Sequence, residues 1–302
     1  TTMDPETRNS AETIRTLIKE QQRLAPAMQQ AVDSGDIDEL TEALAATPPA
    51  LSQAHADTVS RLNMLAERCE KFDFDSRKLD YNCTPQNLAL IEAWTQCKLP
   101  GGADAMAQWL GGNKEAVNLA EQQQRELENY LAMTANRHRC AEQFDSDDAV
   151  SWLRYWHARL LAGDPLKLPG QFKAIPNAIG AHQLTPPHNI GGTLQALYAD
   201  IRPRLENSRG RDVFMYVAIT MVHGFADGNG RMSRFILSAE AEKAGITPIV
   251  IPLEQRSAAA AGMDAAWLEG ELEPLVSALE DACRNTDLLL AELQRFETPT
   301  PA

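Results

Sequence analysis

Val213-Phe214-Met215-Tyr216-Val217-Ala218-Ile219-Thr220-Met221-Val222 runs without a break into His223-Gly224-Phe225-Ala226-Asp227-Gly228-Asn229-Gly230-Arg231, and on into Met232-Ser233-Arg234. The run from Val213 to Val222 is apolar on every face and too short to cross a bilayer, which is the profile of a helix buried in a protein core. From Met232 to Ala244 helical periodicity returns, with Phe235, Ile236, Leu237 and Ala239 offered for packing. A polar, Gly-rich turn is therefore predicted between two core helices. Backbone N–H groups in such a turn can face a ligand. A helix starting just after it adds its own unpaired N–H groups and the positive end of its dipole. Those are the elements of an anion site, with phosphate as the usual occupant.

The side chains of the turn suit a nucleotide better than a bare anion. Arg231 and Arg234 stand one helical turn apart, so both project to one side and can fork onto phosphate oxygens. Asp227 would repel phosphate unless a cation lay between them, and one carboxylate with phosphate oxygens and water is a common way to hold magnesium. His223 stands at the C-terminal end of the buried helix, and an imidazole titrating near neutrality can accept a proton from a hydroxyl.

At these residues the sequence resembles the Fic family of protein AMP-transferases, whose signature reads His-Pro-Phe-x-Asp/Glu-Gly-Asn-Gly/Lys-Arg, often with a second Arg three residues on. Every defined position matches except the second, where Gly224 stands for Pro. The resemblance implies His223 as general base, Phe225 as a core anchor and Asp227 as ligand of Mg2+. Gly228, Asn229 and Gly230 would line a phosphate nest, with Arg231 and Arg234 on the outer phosphates of ATP.

A chain of 302 residues can bury a good core and has room for two domains. With 44% hydrophobic and 23% charged residues it reads as an ordinary globular protein. A net charge of −14 argues against nucleic acid or anionic membranes as partners and requires any nucleotide site to be a local positive patch. No signal-peptide pattern and no apolar run long enough for a membrane span is found. The five cysteines, Cys69, Cys83, Cys97, Cys140 and Cys283, form no CxxC pair. They read as small buried hydrophobes in a reducing compartment. The expected setting is cytoplasmic, including the cytosol of a host reached as an exported effector.

Ahead of residue 151 the pattern is helical throughout. Helices are expected over 9–31, 36–46, 51–72, from Thr84-Pro85 to about Cys97, over 103–110 and over 113–143, with a loop at 73–83. Residues 1–150 thus read as a helical arm for docking or regulation. Within it Arg137-His138-Arg139 and the run Glu121 to Glu128 read as solvated helix faces, and His55 and His157 as structural or surface residues.

From Ser151 the character changes. Trp152, Leu153, Tyr155, Trp156, Leu160 and Leu161 make an apolar helix ending at Ala162-Gly163-Asp164-Pro165. Gly170-Gln171-Phe172-Lys173, then Ile179-Gly180, then Pro186-Pro187 read as extended pieces of a hairpin or ordered loop. The order is similar to the Fic flap, which implies Phe172, Lys173, Ile179 and Gly180 as target-docking residues that pair with an extended backbone. After the motif, Ile249-Val250-Ile251 is a short apolar run, and Asp264 to Leu279 and Asp281 to Phe296 read as two amphipathic helices.

The expected fold is mainly α: a Fic-type helical core over 151–302 with a short β-hairpin flap, preceded by an all-helical N-terminal domain. The function implied by the resemblance is transfer of AMP from ATP, with Mg2+, to a Ser, Thr or Tyr hydroxyl of a target protein, a small GTPase being one candidate. Transfer of UMP, phosphocholine or phosphate is the enzymatic alternative, and a non-catalytic nucleotide-sensing adaptor is the alternative of another class. Many relatives carry a Glu-Gly or Glu-Asn inhibitory helix. Here Glu128, Glu206 and Glu269 precede Gly or Asn, but Gln124, Arg202 and Ala265 stand where that motif needs Ser or Thr. The chain is therefore expected not to inhibit itself, and a separate inhibitory protein is a candidate partner.

Overall fold

The computed structural model describes residues 53–81, 85–164, 167–173, 176, 178–179 and 182–297. The helices expected over 9–31 and 36–46, the N-cap Thr84, and the flap residue Gly180 lie outside the described residues. The described chain is almost wholly helical. Its helices are α1 (Ala56–Lys71), α2 (Pro85–Gln96), α3 (Ala103–Leu110), α4 (Lys114–Val117), α5 (Glu121–Thr134), α6 (Arg137–Gln143) and α7 (Ala149–Leu160), followed by α8 (Ile190–Ala196), α9 (Ser208–Val222), α10 (Asn229–Lys243), α11 (Arg256–Leu268) and α12 (Glu273–Glu297). Between α7 and α8 lies one short antiparallel hairpin, β1 (Ala178–Ile179) and β2 (His182–Gln183), with Ala178 opposite Gln183 and Ile179 opposite His182.

Helix α9 is the axis. The Asn207 side chain caps its start by accepting the Gly210 N–H at 2.9 Å, satisfying one of the N–H groups that a first turn leaves open. From Val213 onward apolar residues face every direction, and Asp212 to Ile219 are buried without a break. It packs against α10 and against α1, and the continuous core runs from Leu62 on α1 to Leu293 on α12. Residue 150 is therefore no gap in packing: α1 lies on α9, and α6 lies on α10.

Two stretches differ from the sequence expectation, each for a local reason. The helix expected over 113–143 is three helices. Asn118 ends α4 in the left-handed region (φ 50°), and Asn136, non-helical at φ −121°, separates α5 from α6 while its amide donates back to the Ala132 carbonyl at 3.2 Å. Asn tolerates both conformations because its short side chain competes for backbone bonds. The two C-terminal helices are shifted in register. The chain turns at Glu269-Gly270-Glu271-Leu272, and α12 then runs unbroken past Asp281, with Pro274 in its first turn where a missing N–H costs nothing.

Arg137 corrects another expectation. It is 5% exposed rather than solvated, and its guanidinium bonds both Glu92 on α2 and Glu242 on α10. Arg202 is equally buried, with Nε 2.6 Å from Glu240 and Nη1 2.7 Å from Asp145.

Candidate functional site

His223 terminates α9 in the left-handed conformation (φ 51°, ψ 53°), which turns its side chain out of the helix direction and starts the motif loop. Its Nδ1 lies 3.1 Å from the Thr220 carbonyl. A carbonyl only accepts, so Nδ1 carries the proton and Nε2 keeps its lone pair. Burial holds the imidazole below its ordinary value, the Thr220 bond opposes that, and the Lys173 ammonium adds to it. The ring is therefore neutral, with Nε2 able to take a proton, across the physiological range.

The loop after it is held from inside by three side chains. Asn229 closes it in both directions: its Oδ1 accepts the Phe225 N–H at 2.9 Å and its Nδ2 donates to the Phe225 carbonyl at 2.7 Å. The Asn229 side chain is thus committed to the loop, and only its backbone N–H is left to a nest. Phe225 is buried and lies flat on His157, ring centroids 3.7 Å apart and 5° from parallel. His157 accepts the Gly170 N–H at Nδ1 (2.8 Å) and donates from Nε2 to the Asp227 carbonyl (2.8 Å). This ring is wholly buried, and burial lowers its pKa to about 4. Protonation would place a second N–H against the Gly170 donor. Gly228 completes the turn at φ 79°, where a Cβ would meet His157 Nε2 at 3.3 Å.

Helix α10 begins at once. Its first internal bond runs from the Met232 N–H to the Gly228 carbonyl, so the N–H groups of Asn229, Gly230 and Arg231 have no partner within the helix. Arg234 folds back over this turn: a Cβ on Gly230 would sit 3.1 Å from its Nη1. Its Nε donates to Gln96 Oε1 at 2.6 Å, and burial lowers its pKa. Arg231 stands 3.4 Å from Glu126 and 3.7 Å from Asp227. Asp227 is half exposed, with Oδ1 accepting the Gly228 N–H at 2.5 Å. Among the described residues no group of three or more His, Cys, Asp or Glu side chains forms a metal cage. A single exposed carboxylate beside an anion seat fits a magnesium ion that keeps water and phosphate oxygens as its other ligands.

The flap expectation divides. Phe172 and Lys173 are buried, not presented outward: Phe172 bridges antiparallel to Phe225, and the Lys173 N–H donates to the Gly224 carbonyl at 2.8 Å. They fasten the base of the segment onto the motif loop, and burial lowers the Lys173 ammonium to about 8. Ile179 lies in strand β1 of the hairpin beyond.

Sequence reasoning read His157 as a structural or surface residue without finding its partners, and assigned Glu126 to a wet face. Of the inhibitory candidates, Glu128 is exposed, accepts from Gln124 and stands 3.9 Å from Lys114. No ion pair joins it or Glu269 to Arg234 among the described residues. Two surface grooves of about 540 and 630 Å3 lie elsewhere, beside α1 and at the Ser208 end of α9. That end is about 20 Å from His223 along the helix, and no residue of 223–234 lines either groove.

Residues 147–240, from the start of α7 into α10, match the model of the Fic/DOC family. The chain carries a Fic domain. Two curated relatives called protein adenylyltransferase Fic, from Drosophila grimshawi and Drosophila mojavensis, are each 30% identical over 139 residues, 44% of this chain. The chain matches 28% and 27% of their respective lengths. A Fic domain containing signaling protein from Bacteroides thetaiotaomicron is similar in fold, with a TM-score of 0.53 at 16% identity, over 79% of this chain and 98% of that one. Fic-1 from C. elegans gives 0.50 at 16% identity, over 91% and 84%. The similarity in fold thus reaches well beyond the matched motif region. No described helix is long and apolar enough to cross a membrane.

Proposed function

We propose that this Fic domain transfers AMP from ATP to a Ser, Thr or Tyr hydroxyl of a target protein. What supports the reading is one juxtaposition: His223, with Nδ1 bonded to Thr220 and Nε2 available, ends one core helix, and the N–H groups and arginines of α10 begin the next. A base and an anion seat are separated only by the five-residue loop 224–228. The named activity of the Drosophila relatives agrees with it.

In the proposed step the target hydroxyl oxygen bonds to the α-phosphorus while its proton passes to His223 Nε2. The bond from the α-phosphorus to the bridging oxygen breaks, and diphosphate leaves with that electron pair. Arg231, Arg234 and the open N–H groups of α10 would hold the phosphates and balance their charge. Asp227 would hold Mg2+, which supplies further charge neutralisation at the phosphates. The edge of β1 offers backbone groups to an extended target segment.

The test is His223→Ala, read as labelled AMP transfer to lysate proteins beside calorimetric ATP affinity. Transfer should fall about 10²–10⁴-fold, because the imidazole acts on the attacking hydroxyl, while ATP affinity stays near wild type. Equal loss of both, in a protein still folded by circular dichroism, would overturn the assignment of the base.

A further inference from the structure

The positive character of this site extends beyond the motif. Arg256, at the start of α11, is partly buried against the same wall as Arg234. The two guanidiniums are gripped by consecutive residues at the C-terminal end of α2. Arg256 Nη2 donates to the Thr95 carbonyl at 2.5 Å, and Arg234 Nε donates to Gln96 Oε1 at 2.6 Å. Adjacent anchors set the cations side by side.

A guanidinium carries five N–H donors, and Arg234 and Arg256 each have one described hydrogen bond. Arg256 Nε is buried with no hydrogen-bond partner among the described residues. Among the described residues no carboxylate lies within ion-pair distance of either Arg234 or Arg256. Burial and mutual repulsion both work against the charge: burial and Arg234 lower Arg256 to about 10, and burial and Arg231 lower Arg234. Two adjacent cations and an orphaned donor are costly to bury unless a counter-charge arrives. Glu126 does not supply it, being paired with Arg231 and with Lys167, 3.4 Å from each. The α2 carbonyl end compensates only in part.

We propose that Arg256 is a third anion-binding residue of this site, which with Arg231 and Arg234 receives the outer phosphates of a nucleoside triphosphate. The inference rests on the nucleotide reading above and adds a residue that the motif does not contain. The competing account makes Arg256 a fastener of α11 to α2 through Thr95.

Calorimetric titration of ATP and AMP into wild type and Arg256→Gln separates the two. An outer-phosphate contact predicts at least a tenfold loss for ATP, about 1.4 kcal/mol, with AMP affinity within twofold of wild type. Equal losses for both nucleotides, or no loss, would overturn the inference. If Arg256→Gln fails to fold, Arg256→Lys keeps the charge but not the fork and must still weaken ATP more than AMP. Unchanged ATP affinity in that variant overturns the inference as well. A wild type that binds ATP normally beside an unaffected variant removes this inference alone. A wild type that binds no ATP removes the nucleotide reading, and this inference with it.

Discussion

Helix α10 carries charges that oppose its own dipole at both ends, and the protein treats the two ends oppositely. At the C-terminal end, Glu240 and Glu242 face a partial negative charge. Arg202 grips Glu240 and also Asp145, Arg137 grips Glu242 and also Glu92, and Lys243 bonds Asp145. At the N-terminal end, Arg231 and the folded-back Arg234 face a partial positive charge. Arg231 has two carboxylates at 3.4 and 3.7 Å, while among the described residues Arg234 has only the Gln96 amide. The charged groups are of similar kinds. What sets Arg234 apart from the arginines at the other end is that the described chain supplies it no carboxylate counter-charge.

The largest effects should come from setting the two ends against each other. Arg202→Ala strands Glu240, which is 2% exposed, and breaking a buried pair of this kind typically costs about 3–5 kcal/mol. Arg234→Gln removes a partly buried cation that has no carboxylate partner among the described residues, so it should change stability by less than about 1 kcal/mol. It should instead weaken ATP by about 1.5–3 kcal/mol, the usual worth of a hydrogen bond to a charged group. Urea unfolding and calorimetry on both variants give the comparison directly. Equal destabilisation by the two would mean that the N-terminal end is also a structural junction.

Acid should sharpen the contrast next. His157 supports the N-terminal end through the Asp227 carbonyl, and its folded pKa of about 4 lies below the ordinary imidazole value of about 6.5. Between those pH values the unfolded chain binds a proton that the folded chain does not. Stability from this group is therefore present above pH of about 6.5 and is lost as pH falls toward about 4, by on the order of 3 kcal/mol. At the C-terminal end the Asp145 carboxyl keeps its charge to lower pH than usual: burial raises its pKa, but the Lys243 and Arg202 bonds outweigh that. Urea midpoints of wild type and His157→Gln at pH 7 and pH 4.5 isolate the term. His157→Gln should start less stable and lose less on acidification. Parallel losses in both proteins would place the acid sensitivity elsewhere.

Legibility in the sequence followed the same division. The apolar run of α9 and the spacing of His223, Asp227, Arg231 and Arg234 are local patterns, so the core helices and the motif residues could be read directly. Asn229 was legible as a residue of the turn, but the two bonds of its side chain to the Phe225 backbone were not, because they leave no pattern in sequence. His157 meets Asp227 across seventy positions and acts on a carbonyl, which every residue possesses. Glu126 and Glu128 lie two apart on one polar run, and only the packing of α5 sends the first to Arg231 and leaves the second in water. Arg256 bonds a backbone oxygen and likewise leaves no signature.

The smallest expected effect concerns Gly224, the one position that departs from the family signature. Gly224 offers its carbonyl to the Lys173 N–H at 2.8 Å, and proline keeps that acceptor. A Cβ there would stand 3.2 Å from Ile190 Cγ2, 3.7 Å from Leu194 Cδ1 and 3.8 Å from Phe172 Cδ1. The tight contact is with one side-chain methyl, which needs to move by only a few tenths of an ångström. Against that small strain, proline restricts the unfolded chain and stabilises by about 0.4–1 kcal/mol where its conformation is compatible. Gly224→Pro should therefore leave the melting temperature within a few degrees and labelled transfer within a few-fold of wild type. The outcome that would break the comparison is a hundredfold loss of transfer with unchanged stability. His223 would then depend on a backbone conformation that proline cannot follow. Positioning of the base would join counter-charge as a property that the N-terminal end of α10 leaves unsettled until a ligand binds.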